Sequence, residues 1–168
     1  MHSNKNGFTL FEIVVVLVLM SIVAAAVIGR SIDTREIDLS GQSDKIRNHI
    51  RFVQAMAIKR SNSVWGITCA ADPNRYWVFQ GTNPDDAGKQ FQLPGENNTE
   101  VSLAESHVFV SAFTLFFDRF GRPYSAYTDE NTNTPVTNGV PFVITVSAIS
   151  GGITPKTLHI TAETGFIQ

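Results

Sequence analysis

The chain of 168 residues contains a single cysteine, Cys69, which excludes an intramolecular disulfide and any cysteine-based metal cluster. Charge is scarce: 17% of residues are Asp, Glu, Lys or Arg, against about 25% in an ordinary soluble domain. The 13 Lys+Arg and 15 Asp+Glu leave a formal net charge of −2, so composition excludes a strongly basic nucleic-acid binder. There is no internal repeat, nucleotide-binding glycine loop, G-x-S-x-G nucleophile elbow or H-E-x-x-H zinc motif. The histidines His2, His49, His107 and His159 share no metal-ligand spacing. No cofactor or metal is therefore expected, and an anchored enzyme would lack its convergent polar site. What the chain does have is apolar residues, 43% of the total, which argues against disorder, in a length that fits one domain.

Those apolar residues are nearly contiguous at the start. Residues 8–28, FTLFEIVVVLVLMSIVAAAVI, carry one charge, Glu12. As a helix the run would be about 30 Å long, the thickness of a bilayer core, so a membrane-spanning helix is expected. Lys5 and the amino terminus precede it and mixed charges follow (Arg30, Asp33, Arg35, Glu36, Asp38), a bias that favours the N-terminus inside. A secretory signal cleaved near Ala24-Ala25-Ala26 and a plain signal anchor both compete for this segment. Neither accounts for Glu12, because an acidic residue inside a spanning helix costs about 2.5–3.5 kcal/mol and asks for a partner.

Gly7-Phe8-Thr9-Leu10-Phe11-Glu12, with its short basic leader and apolar run, resembles the processing site of type IV prepilins and type II secretion pseudopilins. The resemblance implies cleavage between Gly7 and Phe8 by a membrane-embedded prepilin peptidase and N-methylation of Phe8. It also implies that Glu12 contacts the amino terminus of a neighbouring subunit during filament assembly. An ammonium and a carboxylate each lose solvation in lipid and offset one another when paired. A glycine before the cut suits close approach of a peptidase to the backbone.

Helical spacing continues past the apolar run. Ile46, Ile50, Val53 and Ala57 form one stripe, and Leu39 extends it by a turn. Gly41 weakens the middle, and Lys59 and Arg60 suit a helix C-terminus. Gly29 stands where many major pilins resemble one another in carrying a helix-kinking proline. From residue 64 onward the pattern is β, with candidate strands at 64–69, 76–80, 101–103, 108–110, 113–117, 142–148, 158–162 and 166–167. Turn signals such as Pro94-Gly95, Asn138-Gly139 and Ser150-Gly151-Gly152 separate them, and 128–138 reads as a polar loop. The expected fold is α+β, a long N-terminal transmembrane-to-amphipathic helix packed on antiparallel β-sheets.

Phe117-Asp118-Arg119-Phe120-Gly121-Arg122-Pro123 is similar to the F-x-x-x-G-R turn of H-type minor pseudopilins and related minor pilins. The close of the chain, Leu158 to Ile167 around Thr164-Gly165, is similar to their final hairpin. The resemblance divides the chain into a leader (1–7), a transmembrane and filament-core helix (8–29) and a periplasmic domain (30–168), helical over 30–60 and β-rich over 61–168. It implies a non-enzymatic minor pilin or pseudopilin of a type IV pilus or type II secretion pseudopilus, in the bacterial inner membrane before assembly. Its partners would be the peptidase, inner-membrane lipid and other subunits.

The alternative is a DNA-binding minor pilin used in natural transformation. Such proteins commonly use arginines near the C-terminus. Here the tail after Thr164 is Gly-Phe-Ile-Gln and the last basic residue is Lys156, which disfavours nucleic acid. Residues 30–60 hold seven Lys/Arg against four Asp/Glu, whereas 61–168 hold five against ten. The strip Lys45, Arg47, Arg51, Lys59, Arg60 is therefore expected to complement acidic heads rather than phosphates. Cys69, at a strand end, reads as a small buried hydrophobe and His159 as an exposed strand position. Asp129, Glu130, Asn131 and Asn133 lack a calcium-loop spacing, and a solvated loop is favoured there.

Overall fold

The computed structural model describes residues 9–60, 62–150 and 152–168, and the side chains of these apart from 26–35. One helix, α1 (Leu10–Lys59), runs through two compact units, Met1–Ile37 and Asp38–Gln168. Gly41 lies inside it with open space around the position of a Cβ, so it costs helix propensity without breaking the element.

In the second unit the predicted stripe is the buried face of α1: Leu39, Ile46, Ile50, Val53 and Ala57 are all within 1% of full burial. Burying each of the larger of these contributes about 1.5–3 kcal/mol. The stripe packs on strands of alternating pattern. Among the described residues two antiparallel sheets form. In the seven-stranded sheet, β1 (Trp65–Ala71) pairs with β2 (Asn74–Gln80) on one side and β6 (Phe113–Phe117) on the other. β3 (Gln90–Phe91) and β4 (Glu100–Ser102) both pair with β2, and β7 (Pro123–Tyr127) and β8 (Asn133–Pro135) extend the β6 side. In the three-stranded sheet, β9 (Phe142–Ala148) lies between β5 (Val108–Val110) and β10 (Lys156–Ile160).

Period-two alternation assigns the faces of β1, β2 and β6. Trp65, Ile67, Cys69, Tyr76, Val78, Leu115 and Phe117 join the α1 stripe and the inner face of the small sheet in one core. Val64, Trp77, Phe79 and Phe116 form a second cluster with Tyr124 and Tyr127 packed against it. Asn74 ties the two sheets together. Its side-chain amide donates to Ala70 O (3.0 Å) and Val110 O (2.9 Å), and its Oδ1 accepts from Val110 N–H at 3.0 Å.

The α+β expectation therefore holds, with local corrections. The stretch 128–138, read as a loop, contains β8, and β7 precedes it unpredicted. The strand expected at 166–167 is a single bridge, Ile160 to Ile167. β3 was likewise unexpected, and all three new strands lie toward the rim of the sheet, where backbone pairing suffices and an apolar face is not required.

Candidate functional site

Two features carry functional residues, one in each unit. In the first, Thr9 caps α1: the Glu12 backbone N–H donates to Thr9 Oγ1 (3.3 Å) and Thr9 O (3.1 Å). Glu12 thus sits in the first helical turn, where the helix dipole favours a negative charge. The T-x-x-E spacing of Thr9 and Glu12 is a capping-box signal legible in the sequence. Every described side chain from Thr9 to Ala25 is exposed, with Leu10 at 83% and Phe11 at 77%. A helix apolar all round and exposed all round has no stable existence in water; it requires lipid or other helices.

Among the described residues no helix is long and apolar enough to cross a membrane. The described side chains of the apolar run stop at Ala25. From Leu10 that is about 24 Å of helix, and Phe8 and the side chains of 26–28 fall outside it. Gly7 and Phe8, the expected cleavage and methylation positions, also lie outside the described residues. Glu12 is the one predicted site residue whose position is described.

In the second unit, the two motifs that resemble minor pseudopilins meet at one side chain. Gln54, on α1, donates from Nε2 to Gly121 O (2.9 Å) and to Thr164 O (2.7 Å). Gly121 and Gly165 have φ of 77° and 62°, a region that L side chains rarely adopt. A Cβ on Gly165 would also lie 2.6 Å from Gln54 Nε2 and 3.0 Å from Gly121 O. Glycine at both positions is thus what allows the F-x-x-x-G-R turn, the Thr-Gly turn and α1 to close on one amide. Asp118 sets the first turn from within, its Oδ1 accepting from the N–H groups of Phe120 (2.8 Å) and Arg122 (2.9 Å). Its Oδ2 accepts from the Tyr124 hydroxyl at 3.1 Å.

A polar cluster sequence reasoning missed lies in the core beside α1. The His49 ring meets Pro94 O through Nε2 (3.2 Å) and the Tyr76 hydroxyl through Nδ1 (2.9 Å). A carbonyl only accepts, so Nε2 carries the proton and Nδ1 accepts from Tyr76 in the neutral ring. Lys45 Nζ is 2.7 Å from Glu96 Oε1, which lies 3.7 Å from His49 Nε2. Burial pulls His49 below its ordinary 6.5, opposed by the Pro94 carbonyl and Glu96, and burial pushes the Tyr76 hydroxyl up. No local pattern marked His49, because its ring's partners, Tyr76 on β2 and Pro94 in the turn after β3, lie far along the chain.

The remaining expectations resolve residue by residue. Cys69 is buried and free, and burial raises its thiol to about 11, so the thiolate that disulfide exchange needs is suppressed. His159 is exposed between buried Leu158 and Ile160. The basic strip is partly engaged within the chain: Lys45 pairs with Glu96, Arg47 with Asp44 at 3.1 Å, and Arg60 lies over the Trp65 ring. Asp129 Oδ1 accepts from the N–H groups of Asn131 (2.8 Å) and Thr132 (2.7 Å). Those bonds, Asn131 first, hold its carboxyl below the usual range. Among the described residues no group of three or more His, Cys, Asp or Glu is placed to hold a metal ion.

Comparison with known proteins adds two findings. The family model for the prokaryotic N-terminal methylation motif matches residues 2–28. The fold is similar to that of the minor pseudopilin EpsH from the type 2 secretion system of Vibrio cholerae, with a TM-score of 0.50 and 14% identity. The match covers 78% of this chain and 94% of that one. No curated protein matches this chain.

Proposed function

We propose, from the support that the methylation motif and the pseudopilin-like fold give to the type IV pilin and pseudopilin family, that this chain is a minor subunit of a pilus or pseudopilus. The precursor enters the inner membrane through its apolar helix, with the globular domain on the periplasmic side. Prepilin peptidase cuts between Gly7 and Phe8, Phe8 is N-methylated, and the apolar helix passes from lipid into a filament core. The chain is a substrate of that processing and has no catalytic role of its own.

One observation carries the reading: a capped helix whose described apolar side chains from Leu10 to Ala25 all face outward, bearing a single carboxylate in its first turn. Lipid or neighbouring helices satisfy the apolar surface, whereas only a cation satisfies Glu12. Cleavage after Gly7 would make one, the new amino terminus, on each neighbouring subunit. The match of the methylation motif to residues 2–28 supports that source of charge.

Glu12→Ala tests the assembly role. The variant is expected to be processed normally, because the capping bonds to Thr9 use the Glu12 backbone. Its recovery in sheared filaments is expected to fall by more than about tenfold, since an unpaired buried ammonium is costly. Wild-type recovery would remove Glu12 from assembly.

A further inference from the structure

Phe120 stands 65% exposed at the corner of the turn that Gln54 and Asp118 hold in place. The guanidinium groups of Arg119 and Arg122 lie 4.9 and 5.8 Å from its ring centroid, within cation–π range. Among the described residues neither arginine has a carboxylate within salt-bridge distance. An exposed phenylalanine alone is unremarkable. Here, though, six hydrogen bonds fix the turn's backbone and its aspartate: two from Phe120 and Arg122 N–H to Asp118 Oδ1, one from Gly121 N–H to Asp118 O, one from Asp118 N–H to Arg122 O, one from Tyr124 and one from Gln54.

Beside the turn lies a groove of about 460 Å³. Val64, Tyr124 and Tyr127 lie along its floor on the outer face of the seven-stranded sheet, the two tyrosine rings meeting edge to face at 5.2 Å, and Asn62, Ser63 and Asn133 add polar groups to the lining. Arg119 and Arg122 line one part of the rim, and Asp118 and Glu130 are also in the wall. Paired cations next to an aromatic, on a backbone that need not be ordered on binding, are the residue types and the preorganisation of an interface hot spot.

We propose that this turn and groove form a docking site for a segment of a partner protein that carries an isolated carboxylate beside apolar side chains. Arg119 and Arg122 take the carboxylate in charge-assisted hydrogen bonds, and the adjoining apolar side chain rests on Phe120 and the tyrosine floor. The charges in the groove decide against nucleic acid. A phosphate backbone is a continuous row of negative charge and would meet Asp118 and Glu130 as well as the arginines, whereas a single carboxylate flanked by neutral residues does not. The site lies wholly in the globular unit, so it stands or falls independently of cleavage after Gly7.

The full-length protein in detergent, titrated by fluorescence anisotropy, tests the proposal. The probes are short synthetic peptides with one Glu between Leu and Phe, and the same peptides with Gln replacing Glu. The Glu peptides are expected to bind about tenfold tighter than the Gln peptides. Arg119→Ala with Arg122→Ala should abolish that difference, and Phe120→Ser should weaken both peptides. Arg51→Ala, an exposed arginine elsewhere on α1, should change nothing. All three changes are at the surface, so unchanged melting curves would exclude misfolding as the cause. No binding, equal binding of Glu and Gln peptides, indifference to the arginine pair, or arginine-dependent binding of duplex DNA in place of the peptides would each overturn the proposal.

Discussion

At the scale of single residues, much of the globular unit turns on polar side chains whose partners are backbone carbonyls. Gln54 spans 67 and 110 positions of sequence to reach Gly121 and Thr164. Gln54→Ala would leave both carbonyls without that donor, and the expected loss is about 1–3 kcal/mol, read as a lower urea midpoint. Gln54→Glu should be at least as damaging, since a carboxylate cannot donate to either carbonyl. An unchanged midpoint in Gln54→Ala would show that water replaces the amide.

His49 imposes a pH dependence. Burial holds its imidazole below 6.5 in the folded state, so between the folded value and 6.5 the unfolded chain binds a proton that the folded chain does not. The stability contributed by neutral His49 is fully present above 6.5 and declines as pH falls, because burial penalises the charged ring; protonation of Nδ1 also takes away the acceptor of the Tyr76 hydroxyl. Glu96 opposes the decline and Lys45 adds to it. The urea midpoint is therefore expected to fall from about pH 7.5 to about pH 5, and to fall less in His49→Gln. Equal declines in both proteins would assign the effect to other groups.

At the scale of elements, α1 is held in the globular unit by its stripe. Ile50 is fully buried at its centre. Ile50→Ala is expected to cost about 2–5 kcal/mol, whereas alanine at exposed Arg51, one position on, should change stability by less than about 0.5 kcal/mol. Thermal melts of the two variants check the contrast. The stripe was legible because helical period and burial coincide, as was the alternation of Phe142, Ile144 and Val146 in β9. β7 was not: Pro123-Tyr124-Ser125-Ala126-Tyr127 opens on a residue without an N–H, and Ser125 and Ala126 are both exposed. β8 is Asn-Thr-Pro and carries no apolar pattern at all. The glycines of both pseudopilin-like turns were visible in sequence, but the amide they converge on was not, because no periodicity encodes a contact of such span.

At the scale of the whole molecule, two surfaces want different company. The described apolar helix from Leu10 to Val23 exposes large side chains all round and has no aqueous solution to its burial problem. The globular unit, with its main core, a second cluster on the other face of the large sheet and a fixed turn presenting Phe120 between two arginines, is suited to recognition. A filament subunit reconciles the two, as lipid and then neighbouring helices cover the first while the second remains available. The central claim is that the precursor becomes such a subunit by cleavage at Gly7. The direct measurement is intact mass and N-terminal sequencing of the membrane-extracted protein, with and without co-expressed prepilin peptidase. A chain beginning at methylated Phe8, found only with the peptidase, is the expected result. A retained Met1 in the presence of active peptidase, or a start after Ala26, would contradict the account.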